Sequence, residues 1–223
     1  MKYYIIAGEA SGDLHGANLM KAIRASDPKA EFRFWGGDRM SAHGGEPVVH
    51  YRHMAFMGFL EVVKNLRTIT RRMKQCKEDI VRFSPDVLVL IDYPGFNMRM
   101  AAFAKEMGIK VAYYISPQVW AWKENRVAKL KKTVDEMLVI LPFEEAFFAE
   151  RGMKVHFVGH PLLDAIGDKS EWLQGNPEKW KSDSKSLIAL LPGSRAQEVS
   201  KVLPVMLEMV DRFPQHRFAI GMA

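Results

Sequence analysis

Short apolar runs alternate with longer amphipathic segments along most of the chain. The runs are rich in Val, Ile, Leu and aromatic residues, and they predict strands at Tyr3–Ala7, Glu31–Trp35, Val87–Asp92, Val111–Ile115, Met137–Leu141, Val155–Val158, Leu187–Leu191 and Arg217–Ile220. Apolar residues at helical spacing predict helices between them, at Gly58–Phe83, Asn97–Glu106, Lys123–Lys132, Glu144–Arg151 and Gln197–Arg212. Because apolar strands separated by helices are typical of a parallel sheet covered on both faces, the pattern predicts an α/β fold.

The alternation is interrupted at residues 169–185. This stretch contains several serines and lysines together with Gly175 and Pro177, and its apolar residues are sparse, which is typical of a linker. We therefore predict a first domain at residues 1–168, a linker at 169–185 and the beginning of a second domain at 186–223. The second domain is expected to be incomplete, because two strands leave an open sheet edge and little core.

Composition narrows the class of protein. Hydrophobic residues make up 48% of the 223 residues, enough for a sizeable core, and the only cysteine, Cys76, excludes an internal disulfide. The formal charge of +6 favours anionic partners, although no nucleic-acid-binding motif accompanies it. No apolar run approaches the roughly 18–20 residues that span a bilayer, so we expect a soluble or peripheral protein in a reducing compartment.

Most residues capable of chemistry follow the carboxyl ends of the predicted strands. These loops are Gly8–Asp13, Gly36–Asp38, Asp92–Asn97, Ser116–Trp122, Pro142–Glu144, Gly159–Pro161 and Pro192–Arg195. Ligands of open parallel sheets bind beyond this edge. The sequence therefore predicts a single active crevice there.

Two of these loops carry an acid for which we predict a role, Asp92 and Asp13. Asp92 ends the most apolar strand, where desolvation would raise its pKa toward that of a general base; a turn or helix cap, a role open to Asn97 as well, is the alternative. Ser11, Gly12 and Asp13 predict a backbone cradle for a polar substrate, or only a tight turn into a helix. Their spacing matches neither the dinucleotide-binding fingerprint nor the P-loop.

Two further loops suit phosphates and rings. Gly193, Ser194 and Arg195 precede a helix that carries Glu198 in its first turn, which predicts a phosphate site made of backbone N–H groups and a guanidinium; a helix cap beside a solvated charge is the alternative. The aromatic side chains of Ser116–Trp122 suit sugar rings or acyl chains, but packing explains them equally well.

The helix predicted at Gly58–Phe83 has a basic face, which includes Lys64, Arg67 and Arg71. A solvated surface is the usual explanation, and contact with anionic lipid headgroups is the alternative. A metal site is not expected: His156 and His160 lie on a strand and its exit loop, where four residues separate them by roughly 13 Å.

The motifs together resemble lipid-A-disaccharide synthase. They are GEASGDLHG at Gly8–Gly16, MGFLE at Met57–Glu61, DYPGFN at Asp92–Asn97, YISPQVWAWK at Tyr114–Lys123, LPFE at Leu141–Glu144, VGHPL at Val158–Leu162 and LPGSRAQE at Leu191–Glu198. They occur in the order of that family and run from the first residues to about Glu198. Single motifs such as LPGSR are weak, whereas their combination with ISPQVWAWK is specific.

The resemblance implies an inverting glycosyltransferase of two facing Rossmann-like domains, the GT-B type. The donor would be UDP-2,3-diacylglucosamine and the acceptor 2,3-diacylglucosamine 1-phosphate, joined by a β-1,6 bond as UDP leaves, with no cofactor and no metal. The family is peripheral on the cytoplasmic side of the inner membrane, so an anionic membrane surface is the expected partner. Its members continue well beyond Ala223.

On this basis each candidate receives a role. The catalytic base would be Asp92. The acceptor would be bound by Ser11, Gly12, Asp13, Asn97, Gln118 and Trp120, and the diphosphate by Gly193, Ser194, Arg195 and Glu198. Acyl chains or the membrane would be contacted by Phe56, Met57, Phe59, Leu60, Lys64, Arg67 and Arg71, unless the apolar members of this group are core residues. Another UDP-sugar enzyme of the same architecture, such as a 2-epimerase, and a non-catalytic fragment that binds lipid phosphates are the alternatives.

Overall fold

A computed structural model describes residues 1–54, 66–166, 185–193 and 196–221. The chain divides into two compact units, Met1–Ala165 and Ile166–Ala223. The predicted linker falls almost wholly on residues outside the described ranges, so the boundaries at 168 and 185 stay predictions.

The first unit alternates strands and helices. Its strands are β1 (Lys2–Ala7), β2 (Glu31–Gly36), β3 (Glu46–His50), β4 (Val87–Ile91), β5 (Lys110–Tyr114), β6 (Glu136–Val139) and β7 (His156–Phe157). Its helices are α1 (Ala10–Ser26), α2 (Asp38–Ser41), α3 (Leu66–Phe83), α4 (Pro94–Glu106), α5 (Val127–Thr133), α6 (Glu144–Ala149) and α7 (Leu162–Ile166), with 3₁₀ turns at Tyr51–His53 and Glu124–Arg126.

The seven strands form one parallel sheet in the order β3-β2-β1-β4-β5-β6-β7. The second unit contains β8 (Leu187–Leu190), α8 (Ala196–Arg212) and β9 (Arg217–Ile220), and its two strands are also parallel. The predicted Rossmann-like α/β fold is confirmed.

Alternation along the strands builds a core on each face of the sheet. In β1, Tyr4 and Ile6 join one buried cluster, while Ile5 and Ala7 join the other. Helix α1 covers the second face, and α4 covers the first. Because both faces are covered, the strands are apolar throughout, which is the pattern that the sequence displayed.

Strand β3 was missed by the sequence analysis. Among the described strands it lies at the edge of the sheet and pairs with β2 alone, and it contains Pro47, so it carries little of the apolar signal of a buried strand. The helix predicted at Gly58–Phe83 is described from Leu66 onward, and its residues before that lie outside the described ranges. Among the described residues, no helix is both long and apolar enough to cross a bilayer.

Candidate active site

The carboxyl ends of β1 and β4 form the centre of the candidate site. Ala7 lies beside Ile91 in the strand register, so the turn after β1 and the turn after β4 leave the sheet side by side. The helices that follow, α1 and α4, pack on opposite faces of the sheet. This is a topological switch point, where open α/β sheets form their ligand crevice.

Asp92 stands at this point in a left-handed backbone conformation, with φ +44°. Burial raises the pKa of its carboxyl above the usual value for Asp, and the nearby Glu9 carboxylate raises it further. The backbone carbonyl of Asp92 accepts a hydrogen bond from the Tyr113 hydroxyl at 2.7 Å and another from Nδ2 of Asn97 at 2.8 Å. Both donors hold the turn in the conformation that presents the carboxylate at the rim.

Tyr93 is also left-handed, with φ +49°, and its ring lies directly over Gly8. A Cβ atom at position 8 would come within 2.4 Å of the Tyr93 ring, so only glycine fits beneath it. The Tyr93 hydroxyl donates to the carbonyl of Met54 at 2.8 Å, which connects this turn to the residue that follows the 3₁₀ turn Tyr51–His53.

Asn97 is fully buried and does not face the crevice. Its Nδ2 atom donates to the carbonyl oxygens of Asp92 and Ile91, at 2.8 and 3.2 Å. The prediction that Asn97 contacts substrate is therefore corrected: its side chain holds the Asp92 turn through these hydrogen bonds.

Asp13 requires the same correction. Its side chain is only 2% exposed, and its carboxylate accepts backbone hydrogen bonds from Gly37 at 2.6 Å and from Arg39 and Met40 at 3.1 Å. These donors form the N-terminus of α2, which offers unpaired N–H groups to an acid. Asp13 therefore connects α1 to α2 and does not contact substrate directly.

The neighbours of Asp13 have different environments. Gly12 is buried, and a Cβ there would lie 3.2 Å from Cβ of Ala7, so this glycine lets α1 pack closely on β1. Ser11 is exposed in the first turn of α1, at the same edge as Asp92. Of the three cradle residues, Ser11 alone presents its side chain to solvent.

The loop after β5 forms the neighbouring part of the edge. It begins at Ile115, whose φ of +64° is unusual for a β-branched residue and costs conformational energy. Ser116 donates a hydrogen bond to the buried Glu144 carboxylate, which also accepts from the backbone N–H of Leu141 at 2.9 Å. Glu144 thereby connects the loop after β5 to the loop after β6 through hydrogen bonds.

Beyond Ser116 the loop exposes polar and aromatic groups. Gln118 is exposed, and Trp120, at 36% exposure, packs edge-on against Phe143 of the β6 loop with 5.1 Å between ring centroids. Trp122 is 58% exposed and lies near Nζ of Lys123, 4.3 Å from the ring centroid. Aromatic rings at the rim can pack on a sugar or an acyl chain.

Asp92 and the Ser116–Trp122 segment thus lie at the same edge, because they follow adjacent parallel strands. Sequence reasoning had not singled out Glu9, Tyr113 or the Glu144 carboxylate as partners in this site. Glu9 could have been suspected, because it follows the strand end directly after Gly8, whereas no sequence signal distinguishes Tyr113 from an ordinary core tyrosine.

The predicted phosphate turn lies in the second unit. Gly193 has a φ of +115°, and a Cβ there would lie 2.7 Å from Oε2 of Glu198, so the turn requires glycine. Ser194 and Arg195 lie outside the described residues. Their contact with a diphosphate stays a prediction.

Most of the predicted membrane-contact residues also lie outside the described ranges: Phe56, Met57, Phe59, Leu60 and Lys64. Arg67 and Arg71 are described and are exposed on α3, while Cys76 and Ile80 of the same helix are buried. The helix is therefore amphipathic with a basic outer face.

Within the described ranges, no group of three or more His, Cys, Asp and Glu side chains is arranged to hold a metal ion. Nε2 of His156 lies 3.3 Å from Oε2 of Glu136, and Nδ1 of His160 accepts from the backbone N–H of Leu162.

Solved structures with the same fold include several UDP-sugar enzymes. A UDP-GlcNAc 2-epimerase from Neisseria meningitidis, solved with UDP-GlcNAc, matches 100% of this chain and 66% of its own with a TM-score of 0.68 and 12% identity. A transferase from Siraitia grosvenorii, solved with UDP, matches 99% of this chain and 64% of its own with a TM-score of 0.55 and 13% identity. At such identities the likeness shows the fold alone.

Proteins related in sequence share a much higher identity with this chain than these solved structures do. The lipid-A-disaccharide synthase of Trichlorobacter lovleyi is 46% identical over 204 residues, which cover 92% of this chain and 53% of the relative. That of Geobacter metallireducens is 43% identical over 223 residues, which cover 98% of this chain and 58% of the relative. The chain thus spans somewhat more than half the length of these relatives. The sequence profile of the family described as lipid-A-disaccharide synthetase matches residues 3–219, and the chain belongs to that family.

Proposed function

We propose that the protein containing this chain transfers 2,3-diacylglucosamine from UDP-2,3-diacylglucosamine to the 6-hydroxyl of 2,3-diacylglucosamine 1-phosphate. The observation that carries the proposal is Asp92 at the switch point of the sheet, partly exposed, with its pKa raised and its carbonyl held by two side chains. Family membership supports the choice of substrates.

In this mechanism the Asp92 carboxylate accepts the proton of the acceptor hydroxyl while that oxygen attacks the anomeric carbon of the donor. The bond from this carbon to the diphosphate breaks on the opposite side, which inverts the configuration and releases UDP. A raised pKa suits this role, because a stronger base takes the proton more completely in the transition state. The leaving diphosphate needs positive potential, which Arg195 and the N–H groups at the start of α8 would supply.

The acceptor would lie over the rim loops of the first unit. Ser11 and Gln118 present polar groups there, and the exposed rings of Trp120, Trp122 and Phe143 provide an apolar surface for acyl chains. Lipid substrates also require access to a bilayer. We propose that the protein is peripheral on the cytoplasmic face of the inner membrane and that residues 56–71, with their apolar side chains and basic helix face, contact anionic lipid.

The catalytic assignment is tested in the full-length enzyme with Asp92→Asn. The substitution keeps the shape of the side chain and removes the base, so kcat should fall by about 10²- to 10⁴-fold with little change in KM. Asp38→Asn, an exposed carboxylate at the same sheet edge, is the matched control and should retain activity. A near-normal kcat for Asp92→Asn would refute the mechanism.

Three further measurements test the remaining parts of the proposal. Product formation from the diacylated donor, compared with plain UDP-N-acetylglucosamine, distinguishes this transferase from other UDP-sugar enzymes. Isothermal titration of UDP against wild type and Arg195→Ala tests the leaving-group site, and equal affinities would remove Arg195 from it. Flotation with anionic liposomes tests the membrane contact, and absence of binding at low salt would exclude it.

A further inference from the structure

Two cationic side chains lie against one exposed tryptophan in the loop after β5. Nζ of Lys123 is 4.3 Å and Cζ of Arg126 is 5.4 Å from the ring centroid of Trp122, which is 58% exposed. The backbone N–H of Arg126 donates to the carbonyl of Lys123 at 3.0 Å, and Lys123 is left-handed with φ +59°. This turn brings both side chains to the same ring, where the attraction between a cation and an aromatic face holds them.

The positive charge of this cluster is not neutralised by an acid in the described part of the chain. Within the described ranges, neither Lys123 nor Arg126 forms an ion pair with a carboxylate. The acid between them, Glu124, is already paired, because its Oε1 atom lies 2.7 Å from Nε of Arg151. Two cations beside an exposed ring suit a ligand that joins an anionic group to a sugar.

The topology places these residues beside the Asp92 turn. Strands β4, β5 and β6 are adjacent and parallel, and α4 and α5 contribute to the same buried cluster on one face of the sheet. Because each helix leads from one parallel strand to the next, both begin at the carboxyl edge, α4 after Tyr93 and α5 after Arg126. Tyr113 interacts with both turns. Its hydroxyl donates to the Asp92 carbonyl at 2.7 Å, and the charge of Arg126 opposes the rise that burial causes in its pKa.

The proposed acceptor carries an anionic group close to its reacting hydroxyl. The 6-hydroxyl extends from C5 and the phosphate from C1, and these two carbons flank the ring oxygen of the same glucosamine. A base that acts on the hydroxyl therefore requires phosphate-binding cations within one sugar ring of it. A phosphate monoester has a charge of about −1.5 to −2 at pH 7 and accepts paired hydrogen bonds from a guanidinium.

We propose that Arg126 and Lys123, held by Trp122, bind the phosphate of the acceptor and so select a phosphorylated sugar. The inference rests on the proposed function. Arg126 is partly buried and forms the paired hydrogen bonds, whereas Lys123 is exposed and adds a point charge. Binding of the phosphate here directs the 6-hydroxyl of the same ring toward the Asp92 carboxylate.

The test measures transfer by the full-length enzyme in uncharged detergent micelles, with 2,3-diacylglucosamine 1-phosphate and with the same lipid lacking its phosphate. Arg126→Gln should lower kcat/KM for the phosphorylated acceptor by about 10- to 100-fold, because a charged hydrogen-bonded pair is lost. The value for the unphosphorylated acceptor should not change. Lys123→Gln, at an exposed position, should lower the first value by about 2- to 5-fold. Neither substitution should change KM for the donor.

Two further variants control this comparison. Lys132→Gln removes an exposed cation from the last turn of α5, away from the carboxyl edge, and should match wild type with both acceptors. Arg126→Lys keeps the charge but loses the paired geometry, so its kcat/KM for the phosphorylated acceptor should lie between those of wild type and Arg126→Gln. Should Arg126→Gln not fold, Arg126→Lys and Lys123→Gln decide by the same comparison of the two acceptors.

The outcomes separate this inference from the proposed function. A decrease that is equal for the two acceptors, or no decrease, would overturn the phosphate contact while the proposed transfer stands. Loss of flotation with phosphatidylglycerol vesicles in Arg126→Gln and Lys123→Gln, with unchanged kcat/KM, would make the cluster a membrane contact and would also overturn it. Failure of the wild type to transfer to the phosphorylated acceptor would remove the proposed function itself, and this inference with it.

Discussion

At the scale of single residues, unusual backbone conformations concentrate where the chemistry is proposed. Asp92, Tyr93, Ile115 and Lys123 have positive φ angles and lie in loops after β4 and β5. Such conformations cost about 1–3 kcal/mol each and persist where surrounding contacts enforce them. Here the contacts include the hydrogen bonds to the Asp92 carbonyl and the Tyr93 ring over Gly8.

Asp92 should reduce stability at neutral pH. Its folded-state pKa is raised, so above that pKa the native state holds a desolvated carboxylate that unfolding returns to water. This unfavourable contribution is present at neutral pH, decreases as the pH falls through the folded-state pKa, and is absent below the unfolded value of about 3.9. We therefore expect Asp92→Asn to raise the melting temperature at pH 7 to 8, and to leave it unchanged below about pH 4.

Thermal unfolding followed by circular dichroism from pH 3.5 to 8 measures this difference. Asparagine tolerates the left-handed conformation and keeps the shape of the side chain, so it introduces little strain of its own. A lower melting temperature for Asp92→Asn at pH 8 would contradict the expectation.

At the scale of elements, buried acids connect neighbouring elements of the first unit. Asp13 joins α1 to the start of α2, Glu144 joins the loops after β5 and β6, and Asp79 of α3 joins β1 to β2. Asp79 accepts from the Tyr4 hydroxyl at 2.7 Å and forms a bidentate pair with Arg33. Burial pushes the pKa of Asp79 up, but these hydrogen bonds outweigh it and hold the pKa below its usual value.

Removing the Asp13 carboxylate should therefore loosen α2. Asp13→Ala leaves the N–H groups of Gly37 and Met40 without their acceptor in a buried environment, so we expect a loss of about 2–4 kcal/mol in the free energy of unfolding. Asp38→Ala removes an exposed acid from the same helix and should cost less than about 1 kcal/mol. Urea denaturation measures both, and equal effects would show that the Asp13 hydrogen bonds contribute little.

At the scale of the whole molecule, the two units differ in how completely their sheets are covered. The first unit has seven strands with a buried cluster on each face. The described part of the second unit has two strands and one helix, and it exposes large apolar side chains: Leu187, Ile188, Leu191, Val202, Val205, Leu207, Val210, Phe213 and Ile220. A sheet of two strands is at best marginally stable in water.

The first unit should therefore fold without the second. A chain of residues 1–166 is expected to show one cooperative thermal transition with a melting temperature close to that of the 223-residue chain. A chain of residues 185–223 should unfold without a cooperative transition. Calorimetry and circular dichroism test both, and a non-cooperative 1–166 chain would show that the second unit is needed to stabilise the first.

Features of the fold that depend on local sequence could be predicted, whereas those that depend on contacts between distant residues could not. The apolar strands and amphipathic helices were predictable because periodicity reports which faces are buried, and the edge strand β3 was missed because it lacks that signal. The carboxyl-edge loops could be grouped, because parallel strands place all of these ends together. Hence Asp92 and the Ser116–Trp122 segment were correctly assigned to one edge.

The sequence by itself determined the parallel α/β fold, the motifs that mark the family and the loops that hold the site. Only the tertiary structure decided that Asp13 and Asn97 turn inward and that Tyr113 holds the Asp92 carbonyl. The reason is physical. Periodicity records whether a position is apolar, but whether a polar side chain faces a ligand or satisfies a buried backbone group depends on which distant N–H or C=O lies beside it.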